Sequence, residues 1–99
     1  MIVSELEYER NCYYKLKEEL NNLCDMLITS IDDIDDSSII LDNSYLINDN
    51  GIFDKKYKGI IKNLNNINNV LLDTIIPGID NKIEVLTEEI NNLMEKKYE

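Results

Sequence analysis

The chain reads as all-α: an antiparallel two-helix hairpin with a long central connection, its second helix bent or broken at Pro77. Three observations predict this. Apolar residues recur at steps of three and four over two long stretches, the period of one helix face. The densest turn signals, Asn48-Asp49-Asn50-Gly51, fall between those stretches. An acidic run before the middle mirrors a lysine run after it. The 99 residues make a single domain, with a helix over about 4–35, a connection over about 36–52 and a helix over about 53–97.

In the first stretch, Tyr13, Leu16, Leu20, Leu23, Leu27 and Ile34 step by three and four, with Ser30 in the remaining slot. Ser4 followed by Glu7 resembles a capping box, which sets the helix start near Glu5. Asp32, Asp33, Asp35 and Asp36 oppose the macrodipole at a helix C-terminus. The helix therefore frays there or runs on a turn or two with the carboxylates outward. The connection carries apolar Ile39, Ile40, Leu41, Tyr45, Leu46 and Ile47, which need cover; a short hairpin of strands is the alternative.

The second stretch begins at Phe53. Tyr57, Ile60, Leu64, Ile67 and Leu71 alternate steps of four and three, Ile75 and Ile79 add two steps of four, and Ile83, Leu86, Ile90 and Leu93 resume the alternation. The extra four is a stutter, and Pro77-Gly78 lies inside it. Proline in a helix interior costs about 3 kcal/mol. Because the apolar phase survives the pair, one bent helix is preferred to two; in the second case Asp80 caps a third helix.

A turn centred near Ser44 sets Leu27 beside Ile60 and Leu64, Leu20 beside Leu71, and Tyr13 beside Ile75. It also brings Asp32, Asp33, Asp35 and Asp36 near Lys55, Lys56, Lys58 and Lys62. Such exposed pairs contribute only about 0–1 kcal/mol each, so they choose orientation more than they stabilise.

The apolar surface is wider than one stripe. Cys24, Met26, Ile28 and Ile31 on the first helix, and Ile61, Val70, Leu72 and Ile76 on the second, fall largely outside the seam. A second apolar strip on a small acidic hairpin predicts docking into a four-helix or larger bundle, with another chain or a copy of itself. Alternatively a folded-back loop, or a third helix after Pro77, covers it. The candidate interaction residues are Leu16, Leu20, Leu23, Leu27, Phe53, Tyr57, Ile60, Ile61, Leu64, Leu72, Ile76, Ile83, Leu86 and Ile90.

Composition narrows the chemistry. There is no His, Ala, Trp or Gln, and Ile and Asn supply 30 residues, a bias that suits an AT-rich coding sequence from a low-GC bacterium. Without His, no Ser-His or Cys-His nucleophile can be assembled. The three Gly are far apart, so no phosphate loop forms, and the carboxylates fall on solvent faces. The Asp32–Asp36 cluster lacks the glycine and the alternating ligands of a helix-loop-helix calcium site. No catalytic, metal or cofactor site is expected, and the chain is read as a non-enzyme.

The net charge of −10 sits entirely in residues 1–54, and residues 55–99 are neutral. Such a balance disfavours nucleic acid and anionic lipid and suits a partner with a basic face. Lys55, Lys58 and Lys62 read as a solvated face, and the tyrosines form no stacking platform. Neither a signal peptide nor a membrane-length apolar run is seen, so the expected place is the cytosol, with export lacking a cleaved signal left open. Cys12 and Cys24, about 18 Å apart on one helix, are expected to be free thiols, buried or half-buried.

Asn48-Asp49-Asn50-Gly51-Ile52-Phe53, followed by Tyr57, Ile60, Leu64, Ile67 and Leu71, places a glycine at the bend and an aromatic at the opening of a long second helix. This layout resembles the WxG-type helical hairpins of the Gram-positive type VII secretion system, above all the small helical partners encoded beside LXG toxins. The chain departs from them: Asp49-Asn50-Gly51 replaces Trp-x-Gly, and no Tyr-x-x-x-Asp/Glu follows the second helix. The resemblance implies an adaptor or targeting chaperone that pairs with a toxin's helical N-terminal domain or a sister hairpin. Two other functions compete. One is a small acidic antitoxin, immunity or anti-repressor protein that blocks a basic partner. The other is a structural homo-oligomeric coiled coil.

Overall fold

The computed structural model describes residues 2–42 and 52–98. Among these it holds helices and no strands. Helix α1 spans Val3–Asp42, α2 spans Ile52–Val70 and α3 spans Ile76–Tyr98. A π-helical turn, Leu71–Ile75, joins α2 to α3 into one bent helix. The connection expected over about 36–52, with a strand hairpin as its alternative, is instead helical as far as Asp42 and again from Ile52, and residues 43–51 lie outside the described residues.

Helix α1 starts two residues earlier than the capping box suggests. The Ile2 carbonyl accepts the N–H of Glu5 at 3.1 Å and of Leu6 at 3.4 Å, so Ser4 is already inside the helix. At the other end α1 continues past Asp35 instead of fraying. Asp32, Asp33, Asp35 and Asp36 are all exposed, whereas Ile31 is buried and Ile34 half-buried. Opposing the dipole costs about 0.3–1 kcal/mol per charge in the last turn. Burying an isoleucine contributes about 1.5–3 kcal/mol, so the apolar side chains carry the helix through the acidic run.

The seam of α1 differs from the expected stripe by one residue in every second slot. The inward row is Val3, Leu6, Arg10, Tyr13, Lys17, Leu20, Cys24, Leu27, Ile31 and Ile34, an unbroken alternation of three and four. Tyr13, Leu20, Leu27 and Ile34 lie where expected; Leu16 and Leu23 do not, and both are exposed. Lys17 and Cys24 take their slots. Lysine can do so because its methylene stem covers apolar surface while its ammonium reaches out. Cys24 is buried as expected, whereas Cys12 is exposed; both are free.

Along the second helix the inward row is Ile61, Leu64, Asn68 and Leu71, then Ile76, Ile79, Ile83, Leu86, Ile90 and Leu93. Ile60, Ile67 and Ile75, expected in the seam, are exposed, whereas Ile61 and Ile76, expected outside it, are in it. Every step is three or four except Leu71 to Ile76, which is five. The π turn spans that interval, and the Ile76 N–H bonds the Leu71 carbonyl five residues back. One extra residue is thus absorbed as a wide turn, and the seam continues in phase. The stutter read from the sequence is this insertion.

Pro77 does not break the helix. It has no N–H, and the carbonyl that a proline ring crowds in a regular helix, four residues earlier at Asp73, lies within the wide turn. Gly78 follows on the outer face, with nothing within 4 Å of where a Cβ would stand. Asp80 is therefore no helix cap: it sits inside α3 and pairs with Lys17.

Contacts between the helices fix the register. Leu6 packs with Leu86 and Ile90, flanked by Val3, Tyr13 and Leu93. Arg10 Nη1 donates to Thr87 Oγ1 at 3.3 Å, and Lys17 Nζ meets Asp80 Oδ1 at 2.6 Å. Partners on α3 thus step back as α1 advances. Both polar pairs are centred between Asn48 and Asp49, between four and five residues beyond the expected Ser44. Tyr13 accordingly packs near Leu86 and Ile90, not beside Ile75. The result is a rod of 78 × 15 × 14 Å, two helices wide with one line of core.

Candidate protein-docking flank

A one-seam rod can hide only the residues on the facing stripes. What remains in solvent is the surface open to other molecules. On α1 the exposed large apolar residues include Leu16 at 45%, Leu23 at 40%, Met26 at 67% and Ile28 at 45%. On the second helix they include Ile60 at 54%, Ile67 at 51%, Val70, Leu72 and Ile75.

All but Ile28 and Leu72, which directly follow the seam residues Leu27 and Leu71 and face the other flank, obey one rule. Leu16 and Leu23 directly precede the seam residues Lys17 and Cys24. Ile60, Ile67 and Ile75 directly precede the seam residues Ile61, Asn68 and Ile76. Met26 and Val70 each lie three residues beyond one of these, on the same helix face. Each helix therefore carries an exposed apolar row alongside its buried one.

The residues expected to form the interaction site divide three ways. Ile76, Ile83, Leu86 and Ile90 are buried between the helices, and Leu20, Leu27, Ile61 and Leu64 are half-buried in the same seam. Leu16, Leu23, Ile60 and Leu72 are exposed. The side chains of Phe53 and Tyr57 lie outside the described residues. The apolar period places Ile67 and Ile75 in the seam and Met26 and Val70 in a second strip; the observed phase exposes all four.

The seam itself is not wholly apolar. Asn68 is 7% exposed, and its Oδ1 has no hydrogen-bond partner. The Arg10 Nε is likewise buried without a partner, although its Nη1 reaches Thr87, whose hydroxyl donates to the Ile83 carbonyl at 2.7 Å. An unpaired buried amide oxygen costs about 1–3 kcal/mol. Such groups reduce stability and, in paired helices, specify register.

Among the described residues, no three His, Cys, Asp or Glu side chains gather as metal ligands would. No helix among them is long and apolar enough to cross a membrane. In class, this is an all-helical rod whose two elements share one core seam and leave apolar rows beside it. Comparison with known family models, curated proteins and solved structures finds no match.

Proposed function

We propose that the chain is a protein-binding adaptor or targeting chaperone, an antiparallel hairpin that completes a four-helix or larger bundle with a helical partner. One observation carries this: an exposed apolar row beside the seam on both helices. When two helices run in opposite directions, the residues preceding equivalent seam positions lie on the same flank. Leu16 and Leu23 then share a flank with Ile60, Ile67 and Ile75, and Met26 and Val70 widen it. The seven side chains form a surface that water covers poorly and a partner's apolar stripe covers well.

The sequence resemblance supplies the partner class: the helical N-terminal domain of a type VII secreted toxin. Acting in the cytosol, the hairpin would hold that domain soluble and present it for export.

The test is to express the chain alone and with its neighbouring reading frames, then measure mass in solution and co-purification. Leu23→Asp with Ile67→Asp is expected to abolish co-purification and leave helicity intact. Leu20→Asp with Leu64→Asp, in the seam, is expected to destroy helicity. A chain that is a compact monomer with no co-purifying neighbour would remove the basis for an adaptor.

The uneven charge supports a second reading, an acidic inhibitor of a basic protein, since all of the net −10 lies before Lys55. That reading requires binding that weakens steeply with salt. Insensitivity to Leu23→Asp with Ile67→Asp would favour it over the adaptor.

A further inference from the structure

We infer that the occupant of this flank is an amphipathic helix with lysines or arginines along the margin that meets α1. This rests on the docking reading above and adds the partner's chemistry. Outside the Leu16–Leu23 row of α1 lies the row Glu5, Cys12, Glu19, Met26 and Asp33, all exposed. Glu9 extends the Leu16–Leu23 row itself. Beside the apolar strip the α1 margin carries Glu19 and Asp33, with Glu9 and Glu5 continuing it beyond Leu16 towards the N-terminus, and no lysine or arginine. The corresponding outer row of α2 is Lys56, Asn63 and Val70, without a carboxylate. The surface is an apolar strip with one acidic edge and one amide or basic edge.

A second copy of this chain is disfavoured, because pairing would set two chains of net charge −10 side by side. A partner helix with basic residues on one margin offsets the acidic edge and leaves the amides of α2 with uncharged polar groups. The exposed residues span about 15 Å along α1, from Leu16 to Met26, and about 22 Å along the second helix, from Ile60 to Ile75. A helix of about 20 residues, about 30 Å long, covers both.

The absence of Trp in this chain makes a Trp-bearing peptide a clean reporter. The probes are two designed helices of about 20 residues, each with a leucine stripe and one Trp, one with lysines along a margin and the other with glutamates there. Peptide fluorescence and sedimentation of the full chain give the affinities. The lysine peptide is expected to bind at least about tenfold tighter at about 0.1 M salt. The difference should shrink at about 1 M, where the Debye length falls from roughly 10 to roughly 3 Å. Glu19→Lys with Asp33→Lys should erase or invert the preference, and Leu23→Asp should abolish binding of both peptides, each with helical circular dichroism unchanged.

Equal affinity for the two peptides would overturn the proposed charge selection while leaving the docking flank standing. Failure of both peptides to bind would overturn the flank as well. A chain that dimerises by itself, and is made monomeric by Leu23→Asp, would show the occupant to be a second copy and overturn the proposal.

Discussion

Leu6 and Leu16 are both leucines on one exposed-looking acidic helix, yet they do different things. Leu6 is 1% exposed against Leu86 and Ile90, whereas Leu16 is 45% exposed. Leu6→Ala should therefore lower unfolding free energy by about 2–4 kcal/mol through lost transfer energy and a cavity. Leu16→Ala should change it by less than about 0.5 kcal/mol. Urea titrations of the two variants would compare them directly, and equal losses would contradict the assigned seam. Asn68 supplies the opposite case. Replacing it with Leu removes an unpaired buried oxygen from an apolar line, so stability should rise by about 1–2 kcal/mol. A marked fall in the chemical-denaturation midpoint would show that the amide is satisfied in solution.

At the scale of the element, the π turn is the feature that makes the second helix usable. Without it, one surplus residue would rotate everything after Leu71 by about 100° and carry Ile76 to Ile90 away from α1. Deleting Thr74 together with Pro77→Ala should leave a regular helix with every seam residue still inward. Helical circular dichroism and the thermal midpoint are expected to equal or exceed those of Pro77→Ala alone. A lower midpoint for the combined variant would mean that the wide turn is needed for more than phase. Pro77 and the insertion were visible as a stutter next to a helix breaker. The compensation between them was not, because hydrogen bonding five residues back leaves no residue signature.

Over the whole molecule, burial is uneven. Buried apolar side chains on the second helix run from Ile76 to Ile90, while the stretch from Ile61 to Asn68 offers two half-buried aliphatics and a buried amide. Amides of residues 79–93 should therefore exchange hydrogen more slowly than those of 60–68, since local opening there exposes less apolar surface. Hydrogen–deuterium exchange with mass spectrometry would resolve the gradient, and uniform protection would argue for opening as one unit. Binding at the Leu16–Val70 flank should slow exchange most in the looser half, where Ile60, Ile67 and Val70 stand.

Helical periodicity, the absence of histidine, the lopsided charge and the irregularity ahead of Pro77 can all be read from the order of residues. Each is a local property: a three-four spacing, a composition, a breaker. The phase of the seam is different. Tyr13-Leu16-Leu20-Leu23-Leu27 and Tyr13-Lys17-Leu20-Cys24-Leu27 satisfy the same alternation, and hydrophobicity favours the first. Tertiary packing selects the second, with Arg10 on Thr87 and Lys17 on Asp80. The reason is physical: a long cationic side chain can bury its stem in the seam while its head reaches a partner on the opposite helix, as Lys17 does with Asp80. That choice moves Leu16, Leu23, Ile60, Ile67 and Ile75 from the interior to the surface, where they form the flank proposed for a partner.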